Sequence, residues 1–381
     1  MRNLAPLLLL AGVILPVFAA KRVTVVNLEQ MLASSRHTSD ANIAKQLFEL
    51  ELTERLSEDR LAQLAADLPG PLARQALTAV ADASAFLDLP AADIPSIGVP
   101  DLAAQRSMLA LTMDYARATI PKLPNFFATR DTTRFEDTPL EPPLLYTKTR
   151  NDYEPLHEVG RSSVTVLYRD GHELVDAGTA KSHPFGSVEH ELSTTGVFGP
   201  ILAMVLSDSA KGGVTWSHWE QSSTGLQAVF RYTVPKEASH YAVSFPAPKM
   251  PQFAPGYNGN AAAGAADGGA EKTPHVPAYH GEIAVNPADG SILRLTLVAE
   301  LKPSDPVIKG DLMVEYGPVE IGGKSYICPV KSVALSLQHV IYLTAESAAN
   351  LGFPQTRVND VLFKQYHLFR ADVRVLSGTS E

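Results

Sequence analysis

The chain has 381 residues, with 32 Lys and Arg against 41 Asp and Glu, a formal net charge of -9, and 45% hydrophobic against 19% charged residues. That balance argues for a packed core and against nucleic-acid binding, which depends on Lys and Arg neutralising phosphates. The single cysteine, Cys328 in "YICPV", excludes an intramolecular disulfide and a thiolate metal cluster, and it reads as a small buried apolar residue.

The N-terminal "MRNLAPLLLLAGVILPVFAA" places Arg2 before an apolar run from Leu4 to Phe18 that ends in small residues. This is the layout of a secretory signal over residues 1–20, cleaved near Ala19 or Ala20, and it predicts a periplasmic or secreted mature chain from Lys21. No later stretch reaches membrane-spanning length, so no transmembrane segment is expected after cleavage.

Residues 21–123 read as a helical region. Ser39 caps a helix carrying Ile43, Leu47 and Leu50, and Ser57 caps a second with Leu61, Leu64 and Leu68, stopped by Pro69 and Gly70. A third runs from Leu72 to Leu87 before Pro90, and a fourth from its cap Asp101 to Ile120 before Pro121.

Over 124–376 the period becomes that of strands. "FFATRDTTRFE" puts Phe127 and Phe135 on one side with mainly polar residues opposite, and "SSVTVLYRDGHELV" reads as two strands about an Asp170-Gly171 turn. The run Phe198 to Leu206 suits a helix. "GLQAVFRYTV" then predicts a dry face of Leu226, Ala228, Phe230, Tyr232 and Val234 and a wet face of Gln227, Arg231 and Thr233. A Pro/Gly/Ala-rich loop is expected over 246–278. After it, "HGEIAVNPADGSILRLTLVAEL" is a hairpin with Leu293, Leu295, Leu297, Ala299 and Leu301 on its dry side, and three long strands follow. Short turns imply an antiparallel meander of roughly ten strands, which curls.

Chemistry-bearing patterns are sparse. "HELVD" has Asp176 where a zinc helix needs a second His after His172, and the weak metal candidates are His183 and His190, with Glu189 and Glu191, in "HPFGSVEHE". Glu136 and Asp137 are expected to pair with Arg130 and Arg134, His240 to sit on a polar face, and Trp216 and Trp219 to point to opposite sides of one strand. No nucleophile elbow or cofactor motif is present, so no cofactor and no catalytic residue are assigned.

"YHGEIAVNPADGSILRLTL" together with "GLQAVFRYTV" resembles periplasmic lipoprotein carriers and outer-membrane lipoprotein-sorting proteins over about residues 126–376. "VEYGPVEIGGKSYICPVKSVAL" and "LPNFFATRDTTRFEDTP" are similar to uncharacterised exported proteins of acidobacteria over most of the mature chain. The carrier resemblance implies an incomplete antiparallel barrel closed by helices around an apolar ligand space, and it carries over no individual functional residue.

The expectation is an α+β protein with an N-terminal helical block and a large curved antiparallel sheet. Its leading function is non-enzymatic binding of a lipid or other apolar ligand, with Trp216, Phe230, Tyr232, Leu293 and Leu295 on the lining strands. The alternatives are an interaction or scaffold protein contacting an envelope partner, and a metal-dependent envelope hydrolase built on His183 to Glu191.

Overall fold

The computed structural model describes residues 20–139, 153–175, 196–244, 274–343 and 349–369. The signal-like N-terminus, the His183–His190 stretch and most of the Pro/Gly/Ala loop therefore lie outside the described residues.

The helical block opens with β1 (Lys21–Val23), which pairs in parallel with β2 (Leu50–Leu52). Between them stand α1 (Val25–Ser34), capped by Thr24, and α2 (Asp40–Phe48), with α3 (Glu58–Asp67) and α4 (Pro71–Ala83) after them. Leu50 thus belongs to a strand, and the third predicted helix stops at Ala83, four residues early. The Asp40 carboxylate accepts from the backbone of Leu72 at 3.1 Å and Ala73 at 2.8 Å, satisfying the exposed donors at the start of α4. Val25, Leu28, Ile43, Leu47, Leu77 and Val80 form the block's own core. The predicted fourth helix is α5 (Leu102–Thr119), and Asp101 caps it through Ala104 N at 2.7 Å.

The sheet elements follow in chain order. They are β3 (Phe126–Thr138), β4 (Glu154–Arg169), β5 (His172–Val175), then α6 (Pro200–Ser209), β6 (Gly213–Ser222) and β7 (Gly225–Val234). A two-stranded pair, β8 (Val243–Ser244) and β9 (Pro274–His275), precedes β10 (Tyr279–Val285), β11 (Ile292–Ala299), β12 (Val307–Ile321), β13 (Lys324–Leu343) and β14 (Ala349–Leu368). One open sheet of ten strands results, ordered β5-β4-β3-β14-β13-β12-β11-β10-β7-β6, with every neighbouring pair antiparallel. Asp170 and Gly171 both take positive φ, as a tight hairpin turn requires.

Both faces of this sheet are covered. On the first, Phe126, Val166, Tyr168, Phe230, Tyr232, Leu295, Leu297 and Phe363 share one core with Met108 and Ala116 of α5 and Leu202, Val205 and Leu206 of α6. Gly290 in the β10–β11 turn seats α5, since a Cβ there would come within 2.6 Å of the Leu111 backbone. On the second face, Phe135, Met313, Val333, Leu335 and Val358 pack against Ala79 and Ala85, with Phe48 and Phe86 alongside. The wet face predicted for β7 is therefore partly dry, with Gln227 and Val229 buried there and Arg231 exposed. On β3 the pattern is also two-sided: Phe126 and Ala128, opposite Phe127, are core. Among the described residues, no helix is long and apolar enough to cross a membrane.

Candidate functional site

Of the residues predicted to line an apolar ligand space, Trp216, Phe230, Tyr232 and Leu295 are placed together, but among the protein's own side chains. Phe230, Tyr232 and Leu295 are fully buried, and the Tyr232 hydroxyl donates to Thr296 O at 2.6 Å. Burial pushes the Tyr232 phenol well above its ordinary range. Leu293 departs from the expected alternation. A bulge pairs Ala284 with Arg294 and Val285 with Ile292, so Leu293 is the extra residue and Ile292 takes the fully buried position.

A second bulge corrects the reading of β6. Trp216 pairs with Phe230 and His218 with Val229, so Ser217 is skipped and Trp216 and Trp219 fall on the same face. Trp216 also meets Phe230 edge to face at 5.5 Å. The Trp219 indole donates to Gly98 O at 3.1 Å, pinning the segment that joins the helical block to α5. That segment turns its apolar residues outward: Ile94 is 36% exposed, Ile97 48%, Val99 71% and Leu102 66%. Pro95 and Pro100 limit its backbone to extended conformations, and its one charge between Ile94 and Gln105, Asp101, is spent on capping α5.

Three elements build a polar cluster that no local sequence pattern announces. Asp208, fully buried in the last turn of α6, accepts from Tyr279 OH of β10 at 2.8 Å and from His240 N at 3.0 Å. The His240 ring donates from Nδ1 to Asp208 at 2.6 Å while its side chain stays 65% exposed. A carboxylate at a helix C-terminus faces the negative end of the dipole, and these three donors offset that. Burial, with Asp208 beside it, raises the Tyr279 phenol. The pair has the form of an oriented general base, but among the described residues no hydroxyl or thiol hydrogen-bonds His240 Nε2.

The remaining candidates resolve as structural contacts. Glu136 pairs with Arg357 on β14 at 3.3 Å and Asp137 accepts from Thr356 N at 2.8 Å, so the expected pairing with Arg130 and Arg134 is replaced by cross-strand partners distant in sequence. Arg130 instead faces Glu173 at 3.7 Å, and Arg134 donates to Ser162. His172 lies at the start of β5, outside any helix. Cys328 is fully buried, which pushes its thiol up to about 12. Among the described residues no group of three or more His, Cys, Asp or Glu could hold a metal ion; His183 and His190 lie outside them.

A set of charged contacts, some buried and some exposed, ties the helical block to the sheet. Arg55 and Arg294 each place a guanidinium nitrogen 2.7 Å from Glu220 Oε2, and His218 Nε2 stands 3.5 Å from it. Arg231 joins Asp88 of the block to Glu282 of β10. Lys331 of β13 reaches Asp82 of α4 at 2.6 Å. No known family model, curated protein or solved structure matches the chain.

Proposed function

We propose that the chain is an exported, non-enzymatic protein of the cell envelope that works by contacting a protein partner through the segment Ile94–Leu102. The observation that carries this reading is the outward display of Ile94, Ile97, Val99 and Leu102 on a backbone held by Trp219. Contiguous exposed apolar residues mark interaction surfaces, and a proline-stiffened ridge loses little entropy on binding. No Lys or Arg lies between Ile94 and Gln105, so attraction to anionic lipid headgroups is absent from this ridge. Its complement is a protein groove lined with apolar or aromatic side chains, the kind that receives extended proline-containing segments. Export rests on the N-terminal leader pattern.

The apolar-ligand reading is less well supported, because α5 and α6 occupy the face it needs. The test is site-specific photo-crosslinking in the native host, with benzoylphenylalanine at position 99. One discrete protein adduct, lost when Leu102→Asp is added without change in circular dichroism, supports the reading. Adducts only with lipid, only with a second copy of the chain, or none at all overturn it.

A further inference from the structure

The contact between the helical block and the sheet is unusual in what it buries. Its apolar part is small, centred on Phe135, Met313, Val333, Leu335 and Val358, and beside it three acids surround one lysine. Lys331 Nζ lies 2.6 Å from Asp82 Oδ1 and 3.6 Å from Asp360 Oδ1, and Glu315 sits directly opposite Lys331 across the β12–β13 pair. Asp82 is buried in α4, and its second oxygen, Oδ2, has no hydrogen-bond partner; nor has Asp360 Oδ1. Asp82, the buried member, shares its one ammonium with two further acids, so its charge is only partly compensated, and an uncompensated buried charge is costly.

We propose that this seam is a proton-dependent clasp: Asp82, Asp360 and Glu315 converge on Lys331, and the helical block loosens from the sheet when the proton retained on Asp82 is lost. The groups facing the cluster are Asp82 from α4, Glu315 from β12, Lys331 from β13 and Asp360 from β14, with Arg294 of β11, Arg55 and Glu58 of the block acting on Glu315. Burial, with Asp360 and Glu315 adding to it, raises the Asp82 carboxyl to about 7 despite Lys331, and burial raises Glu315 as well. A carboxyl raised in the folded state stabilises that state fully below its unfolded value and ceases to do so as pH climbs through the folded one. The clasp is therefore tightest at about pH 4, loosens as pH climbs, and has lost this contribution once pH has passed about 7.

The other ties between block and sheet do not follow this trend. Arg55–Glu220 keeps its charges throughout that range, since arginine stays protonated and the cations around Glu220 hold its carboxyl well below the ordinary range, and Arg231–Asp88 is a second tie that lies outside the cluster. They hold the block close while α4 opens. Opening bares Phe135, Met313, Val333, Leu335 and Val358, an apolar strip separate from the Ile94–Leu102 ridge.

The experiment is hydrogen–deuterium exchange of the full mature chain at pH 6.0 and 8.5, each rate divided by its intrinsic rate. In the native protein, amides of α4 should lose about tenfold in protection at the higher pH, because about one pH unit separates 6.0 from the folded value near 7. Asp82→Asn, which imitates the protonated acid, should hold α4 protection equal at both values. Asp360→Asn and Glu315→Gln should each shrink the difference, and they serve if Asp82→Asn does not fold. Equal α4 protection in the native protein, or an undiminished difference in every variant that folds, overturns the clasp.

Discussion

Trp216 and Trp219 meet edge to face with ring centroids 4.9 Å apart, on one side of a strand where plain alternation would separate them. The cause is the residue between their pairing positions: Ser217 is left out of the ladder with β7, so the register slips by one and both indoles fall on the face of the sheet that carries Phe230. Two indoles this close couple, so the protein should show an exciton couplet in circular dichroism that vanishes in either Trp216→Phe or Trp219→Phe. Trp216→Ala should cost about 3 kcal/mol in urea unfolding, at the low end for truncated aromatics because the ring is only half-buried. A couplet surviving both Phe variants would refute the shared face.

The helix starts were legible because they are local. Asp101 and Ser57 are N-caps in the structure as in the sequence, and Ala228, Phe230, Tyr232 and Val234 announced their buried face by alternation. What escaped depends on partners that sequence does not display. Leu293 gives way to Ile292 because of how β11 pairs with β10, and Glu136 finds Arg357 only once β3, the first strand of the sheet in the chain, lies beside β14, the last. The second buried face was hidden for a different reason. Its residues include Arg294, Thr296, Asp311 and Gln227, whose polarity reads as solvent exposure although all four are buried.

Phe230, Tyr232 and Leu295 are already saturated with protein contacts. Native mass spectrometry of the gently purified chain from Lys21 should accordingly give a mass without bound lipid, and Phe230→Asp should unfold the protein, since it buries an unpaired charge. A stoichiometric lipid mass would mean that α5 or α6 yields to a ligand, and would restore the carrier-like reading.

Asp208 joins α6 to β10 and to the chain after β7. Tyr279→Phe removes one charge-assisted hydrogen bond and should cost about 2 kcal/mol, whereas Asp208→Ala strands the buried Tyr279 hydroxyl and should cost more. His240→Ala, at an exposed ring, should cost less than either. Chemical denaturation of the three variants gives the order, and a larger loss for His240→Ala than for Asp208→Ala would show that the imidazole, not the carboxylate, organises the cluster.

Glu220 shows that the charge between block and sheet is not uniform in its response to pH. Burial pushes its carboxyl up, but Arg294, His218 and Arg55 together outweigh that and hold it well below the ordinary carboxylate range. A depressed carboxyl contributes stability above its unfolded value, near 4.5, and loses it as pH falls toward the folded one. Glu220→Gln leaves Arg55 and Arg294 buried without their shared counter-charge and should cost about 3–5 kcal/mol at neutral pH. At pH 3 part of that difference should already be gone, because the native protein has begun to lose its advantage. Urea unfolding of both proteins at the two pH values measures it; an undiminished gap in acid would mean that Glu220 acts through packing rather than charge. With the Asp82 cluster losing its contribution as pH climbs from near 3.8 to about 7, the two ends of the seam respond to pH in opposite directions, and the block is held best in the acidic range where both contribute.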